Sequence, residues 1–539
     1  MRGSSGFMVV VATAAAATPI AAWADPADDA AVSARAAADA NRHADAIADF
    51  QRAIALAPDR RAEWLLELAD QLTWSQNLDA AMIQYRTVMA GSDKDRARRA
   101  RIGLARALSW AGQHDAAIRE YNIVLSEQPA DRDVALARAQ VLGWANRLGD
   151  ALASYDTLVE RDPDDADARR GRARMLSWRG RYRAAMADTE LLQAANPGDT
   201  EAAIIKAETL LWSGRPDRAL PILEQQLALQ PGDRQVVDRI DALRLGARPE
   251  LRLDVRHYDQ SDELGISEIS ISARIPIEQG RGSVGARLVR ADYRPAAGAV
   301  SKISVSRPQL QAGYRINDAL EVNGAIAVDL IRTRGTNEDF SPIAYEAYAT
   351  LRPNDLVRID VGTSRWTFDS EATLRGGLTA TQYAASIDLV PDDRTTLSAR
   401  ASVADYTDGN RRTWWQLEAS HRILNAPRTT LAYRLTGFDF RLAGQPGYYN
   451  PAKFVSHEAV LRSYGQFTPR LRWDVRVVGG VETETPGGSR FIVNAGASLT
   501  QALGRNVELE AGYDFSSSRS FSVGGFQRGV ARLALRARF

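Results

Sequence analysis

The last ten residues, Val530-Ala-Arg-Leu-Ala-Leu-Arg-Ala-Arg-Phe539, carry a strong two-residue period. Ala531, Leu533, Leu535, Ala537 and Phe539 fall on one side, and Arg532, Arg536 and Arg538 on the other. A strand places successive side chains on opposite faces, so this run predicts a strand with one apolar and one strongly polar face. It also ends the chain on an aromatic residue.

The same period of two runs back to about residue 250. Leu251, Leu253 and Val255 alternate with Arg252, Asp254 and Arg256. Leu471, Trp473, Val475 and Val477 alternate with Arg472, Asp474 and Arg476. Val507, Leu509, Ala511, Tyr513 and Phe515 alternate with Asn506, Glu508, Glu510 and Asp514. Sixteen segments of this kind, about ten residues each, are read between 250 and 539 with no helix between them. Their connections alternate in length. Ile316-Asn-Asp318, Pro391-Asp-Asp393, Thr468-Pro469 and Ala502-Leu-Gly504 are tight, whereas 294–301, 334–341, 367–377, 441–452 and 518–525 are long and polar. A soluble sandwich with one wet face would also alternate. An even strand number, short turns against long loops, and a terminal aromatic strand together predict a sixteen-stranded antiparallel transmembrane β-barrel. Lipid offers no partner to an open strand edge, so the sheet must close. Trp415, Trp473 and Tyr513 are the candidate girdle residues at the lipid interfaces.

Residues 27–245 keep a different clock. Leu-Thr-Trp74, Leu-Ser-Trp110, Leu-Gly-Trp144, Leu-Ser-Trp178 and Leu-Leu-Trp212 are spaced by 36, 34, 34 and 34 residues. Pro129, Pro163, Pro197 and Pro231 repeat with the same period, and Pro58 closes an earlier copy without the tryptophan. In the unit 132–165, Ala139 and Ala151 are the small positions, Leu142 and Tyr155 the large ones, and Pro163 the closing proline. The unit 98–131 has Ala105, Leu108, Gly112, Ala117, Tyr121 and Pro129. These units resemble tetratricopeptide repeats, and about six of them predict an α-solenoid, because one helix pair cannot bury its apolar face alone. Residues 235–245 read as a closing helix and 246–249 as a hinge. The resemblance implies that Trp74, Trp110, Trp144, Trp178 and Trp212 face the groove, as a ladder for sugar rings. Packing between neighbouring repeats is the alternative.

The amino end reads as a processing segment. Arg2, the apolar run 7–22 and the small-residue site Ala22-Trp23-Ala24 predict a signal peptide over residues 1–24; a short buried helix is the other reading. The 539 residues carry a formal net charge of +1, with 45% apolar and 25% charged residues, which excludes wholesale disorder and a nucleic-acid partner. There is no cysteine, and His43, His114, His257, His421 and His457 are scattered, so no metal or other cofactor and no catalytic residue is expected. A barrel hydrolase would need a Ser, His and acid together on one strand face, and alternation turns His421 towards lipid.

The polar half of each strand is expected to line a channel. Its candidates are Arg252, Asp254, Arg256, Arg358, Asp360, Asp474, Arg476, Glu508, Glu510, Asp514, Arg532, Arg536 and Arg538, with Trp366 and Trp414 offering flat faces to sugar rings. The two signs offset each other, which suits a neutral or weakly charged polymer better than a polyanion. Signal peptide, repeat solenoid and terminal barrel together resemble the outer-membrane porins of synthase-dependent exopolysaccharide export. The poly-N-acetylglucosamine export porin PgaA and the cellulose export protein BcsC belong to that group, and a YaiO-like barrel can follow similar repeats. The count of about six repeats departs from the longer cellulose proteins. The resemblance implies a Gram-negative outer-membrane porin with a periplasmic solenoid, passing a biofilm polysaccharide received from synthase-complex proteins. The competing expectation is a periplasmic scaffold for which the barrel is only an outer-membrane anchor.

Overall fold

The computed structural model describes residues 25–261, 263–294, 303–333, 339–519 and 527–539. The expected signal peptide, and much of the loops 294–301, 334–341 and 518–525, lie outside the described residues. From Pro26 to Gly246 the chain is helical. Twelve helices form six consecutive pairs: α1 (Pro26–Asp39) with α2 (His43–Leu56), α3 (Leu65–Trp74) with α4 (Leu78–Met89), and α5 (Lys94–Trp110) with α6 (His114–Glu127). Then follow α7 (Arg132–Trp144) with α8 (Leu148–Arg161), α9 (Ala166–Trp178) with α10 (Tyr182–Ala195), and α11 (Thr200–Trp212) with α12 (Pro216–Leu229). A single helix, α13 (Arg234–Gly246), ends the series.

The helices form where the repeat places them. Ala105, Ala117, Ala139 and Ala151 are fully buried, as small residues must be where two helices approach, and Leu108, Leu142, Tyr121 and Tyr155 fill the spaces between. From the third repeat on, each first helix starts on the same kind of cap. Asp131, Asp165 and Asp199, each two residues after a proline, accept from the backbone N–H of Val134, Ala168 and Ala202 at 3.1, 3.0 and 2.9 Å. Asp93 caps α5 on Arg96 in the same way. Each satisfies an amide that the helix leaves without an internal partner. Two glycines are forced by packing: a Cβ on Gly103 would lie 2.3 Å from the Tyr85 ring, and one on Gly171 would lie 2.2 Å from the Tyr155 ring.

The chain divides into two compact units, residues 1–154 and 155–539, so the second holds α9–α13 together with the sheet that follows. That sheet is an antiparallel barrel of sixteen strands. They are β1 (Glu250–Gln260), β2 (Gly265–Ile277), β3 (Gly282–Arg294), β4 (Ile303–Arg315) and β5, which runs as Leu320–Val328 and Leu330–Thr333. Both segments of β5 pair with β4, and only Asp329 interrupts them. Next come β6 (Ile343–Leu351), β7 (Val357–Thr367), β8 (Thr379–Leu389), β9 (Thr395–Tyr406), β10 (Arg411–Leu424) and β11 (Arg428–Phe440). The last five are β12 (Lys453–Thr468), β13 (Leu471–Thr485), β14 (Gly488–Ala502), β15 (Val507–Ser516) and β16 (Arg528–Arg538). Each strand pairs with its sequence neighbours, and β1 closes the barrel on β16, from Glu250 opposite Arg538 to Gln260 opposite Arg528.

Burial in the barrel is inverted relative to a soluble protein. Leu253, Ile271, Leu288, Leu417, Val477 and Leu535 are exposed on the outside, while Asp254, Glu458, Glu482 and Asn494 are buried. Lipid accepts the apolar outside, and closure satisfies the backbone, so this is a membrane-spanning barrel. Three outward aromatic rings lie over a glycine of the neighbouring strand. Trp415 covers Gly437, Trp473 covers Gly465 and Tyr513 covers Gly529, filling the gap where a side chain is missing.

Candidate functional site

Along β1 the exposed residues are Leu251, Leu253, Val255, His257 and Asp259, so Arg252, Asp254 and Arg256, of the opposite parity, face the lumen. The other wall candidates share the inward parity of their strands. They occur as ion pairs rather than isolated charges. Arg252 holds Asp254 at 2.8 Å and Glu510 at 3.3 Å, and Arg532 holds Glu510 at 2.8 Å. Arg536 lies 3.3 Å from Glu508 and 3.5 Å from Glu250, which Arg538 meets at 3.4 Å. Arg256 reaches Glu268 at 3.8 Å, Arg476 reaches Asp514 at 3.8 Å, and Asp474 is held by Arg462 at 2.9 Å. On β7, Arg358 and Asp360 pair at 3.0 Å. The pairing follows from the strand pleat, which sets side chains two residues apart, or opposite across the ladder, within reach of one another. The wall is therefore hydrophilic with little net field. His421 is turned outward, beside Thr395.

Trp366 and Trp414 are inward and half-buried, and they pack against an aromatic cluster. That cluster was not legible in the sequence, because Phe368, Leu378 and Tyr448 come from loops. Phe368 and Tyr448 stack with Tyr406 of β9 at centroid distances of 5.4 and 5.3 Å. The loop 368–378 folds inward and carries a short helix, α14 (Glu371–Arg375), which settles a point the sequence left open. Leu374 of this helix is buried against Leu264, Tyr293, Ile303 and Ile331 of the β2–β5 wall and its first loop. Asp369 pairs at 2.9 Å with Arg528 of β16, whose guanidinium lies 4.4 Å over the Tyr258 ring of β1. Since the loop leaves between β7 and β8, half the barrel away from β16, these contacts bridge the lumen at the long-loop end. Ser370 ties the bridge to the 441–452 loop by donating to the Gly447 carbonyl at 2.6 Å. The apolar contacts outweigh polarity for this loop because the wall beneath it is itself apolar.

At the short-turn end, the last repeats are fastened to the rim. The Arg183 amide donates to Asp355 at 2.9 Å, and its guanidinium to the Pro353 carbonyl at 2.6 Å. Arg181 donates to the Pro391 carbonyl at 2.7 Å, Arg218 pairs with Asp318 at 3.0 Å, and Arg315 donates to the Ser213 carbonyl at 2.8 Å. Three consecutive turns, 316–319, 352–356 and 390–394, are thus engaged. Nothing in the spacing of these arginines announces the contact, since their partners lie a hundred or more residues away.

The five repeat tryptophans each end the first helix of a pair. Trp74, Trp144, Trp178 and Trp212 are 40–48% exposed, and Trp110 is half-buried. Trp74 and Trp110 meet edge to face at 5.3 Å, with Arg106 5.8 Å over the Trp74 ring. Within the second unit, Trp212 lines a cavity of about 350 Å³ with Leu243 of α13 and Arg274 and Pro276 of β2. Among the described residues no group of three His, Asp or Glu side chains is placed to hold a metal ion.

No family model matches the sequence, and no curated protein does. Among solved structures, a bacterial polysaccharide outer membrane secretin is similar over 54% of this chain and 99% of its own, at 14% identity and a TM-score of 0.43. A tetratricopeptide repeat protein from Parabacteroides merdae covers 41% of this chain and 88% of its own, at 18% identity and a TM-score of 0.36. YrrB, a tetratricopeptide repeat protein with an unusual peptide-binding site, covers 36% and 97%, at 19% identity and a TM-score of 0.28. At these identities and scores the functional reading rests on this chain's own residues. They define an outer-membrane β-barrel protein with an amino-terminal helical repeat region.

Proposed function

We propose that this protein is an outer-membrane porin that guides a neutral or weakly charged exopolysaccharide, a biofilm matrix polymer, out of a Gram-negative cell. In this reading the short turns and the solenoid lie in the periplasm and the long loops outside. The observation that carries it is the ion-paired wall formed by Arg252, Asp254, Glu508, Glu510, Arg532 and Arg536. Such a wall stays hydrated, offers hydrogen bonds to hydroxyl groups and holds no large potential against an uncharged chain. The exposed indoles of Trp74, Trp144, Trp178 and Trp212 supply faces for sugar rings, and inner-membrane synthase-complex proteins would dock on the same solenoid. No bond is made or broken; synthesis supplies the driving force.

The bridge of residues 368–378 favours a second reading, in which the barrel is a closed anchor and the solenoid a scaffold. Ion conductance of the purified full chain in planar bilayers separates the two. The porin opens discrete channels, and replacing residues 369–377 with a short Gly-Ser linker raises conductance several-fold. A scaffold stays silent with the bridge in place and conducts only once the bridge is removed.

A further inference from the structure

The inner wall beside the loop bridge contains a recess of about 340 Å³. A pyranose ring has one flat, C–H-rich face and a rim of oxygens, so a site for it needs an aromatic platform edged by hydrogen-bonding groups. The recess has both. Arg412, Trp414 and Gln416 project inward from alternate positions of β10, and across the ladder Trp414 faces Phe438 while Gln416 faces Thr436. Trp366 stands on the other side, and the Phe368–Tyr406–Tyr448 stack closes one end.

The charges within the recess are unequal in their pairing. Arg434 lies between Glu418 at 2.7 Å and Glu458 at 3.4 Å and is neutralised there. Gln416 accepts from Arg400 at 3.1 Å and donates to Thr436 at 3.0 Å. Arg412 has only the Gln382 side-chain amide oxygen, Oε1, at 3.3 Å. Its buried Nε has no acceptor, and among the described residues no carboxylate lies within 4.0 Å of it. Arg256, Arg532 and Arg536 of the wall share the unpartnered Nε, but each of them meets a carboxylate, and Arg412 does not. A half-buried guanidinium without a counter-charge gains most from a ligand that brings an anionic oxygen.

We infer that this recess is a pyranose-binding subsite in which Trp414 and Trp366 form the platform and Arg412 selects a ring carrying a carboxylate. The inference rests on the export reading and places the cargo at the weakly acidic end of its range, with uronic-type residues among the sugars. Arg412 is then a specificity residue and Trp414 the principal contact.

The test compares two hexasaccharides with the same linkage and ring, cellohexaose and a hexamer of β-1,4-linked glucuronic acid. Binding to the detergent-solubilised full chain is measured by calorimetry, and conductance in bilayers is recorded separately. The uronate is expected to bind about tenfold more tightly than cellohexaose, as one charge-assisted hydrogen bond allows. Arg412→Gln removes that preference, and Trp414→Ala weakens both sugars, with heat-modifiable gel migration showing that the variant barrels are folded. Equal binding of the two sugars overturns the role of Arg412. Binding that survives both substitutions places the sugar elsewhere and overturns the subsite, as does no binding by a chain that conducts ions. A chain that binds the uronate through Arg412 but never conducts keeps the subsite and sinks the export reading. Should Trp414→Ala fail to fold, Trp414→Phe, which retains a smaller platform, is expected to show the intermediate affinity; unchanged affinity overturns the platform.

Discussion

The solenoid and the barrel use similar side chains with opposite senses. In the repeats, alanines and leucines are buried and arginines lie outside: Ala105, Leu108, Ala139 and Leu142 are inaccessible, while Arg147 pairs with Asp150 at the surface. In the barrel, Leu253, Leu417 and Val477 are outside, and Arg252, Asp254 and Glu510 are within. Neither half is more hydrophobic in a way that predicts this. The period decides it. A repeat of 34 builds helices that can shed water only against each other, whereas a period of two builds a sheet that sheds water on one face only. When that sheet closes with its polar face inward, the apolar face needs lipid.

Reversing the sense at one site should therefore cost most. Leu253→Arg places a guanidinium on the lipid face of β1 and should destabilise the barrel by about 2–4 kcal/mol if the site lies near the bilayer midplane. Urea unfolding in lipid vesicles measures it. The same arginine at Ser272, inward on β2 opposite Arg252, should cost much less; equal costs would break the comparison.

The solenoid's own weak points are internal. Gly103→Ala drives a methyl group into the Tyr85 ring and should lower stability by about 1–3 kcal/mol. Thermal melting followed at 222 nm reports it, with the sheet signal at 218 nm as the internal control. Asp131→Ala removes a helix cap and should cost about 1 kcal/mol, and Asp131→Asn should recover most of that.

The smallest effect is a pH dependence. Burial raises the Asp70 carboxyl above its ordinary 3.8, opposed by the hydrogen bond that Tyr85 donates to it at 2.6 Å. Because the folded value is the higher one, ionised Asp70 costs stability at neutral pH. That cost disappears as pH falls through the raised value to below 3.8. Asp70→Asn should thus melt slightly higher than the parent at pH 7 and equally below 3.8. A difference that grows on acidification would show the opposite sign of shift.

Much of this architecture can be read without coordinates. The tryptophan clock marks the helix ends, since Trp74, Trp110, Trp144, Trp178 and Trp212 each close a helix. Alternation gives the strand count and the inward parity of Arg252, Asp474, Glu508 and Arg532. The capping aspartates at 131, 165, 199 and 233 share the 34-residue spacing and were there to be found beside the prolines. The aromatic rings over Gly437, Gly465 and Gly529 required register, which alternation leaves free.

Sequence alone determined the period of each half, and so which faces are apolar, because helix and strand geometry act over a few neighbouring residues. Tertiary structure alone decided that residues 368–378 turn into the barrel, that Arg181, Arg183 and Arg218 fasten the last repeats to the rim, and that Arg412 is left without a carboxylate. Each of these is a meeting of residues far apart along the chain. Whether a charge finds a partner, or a loop finds an apolar wall, depends on barrel closure and strand register, and no local pattern carries that information.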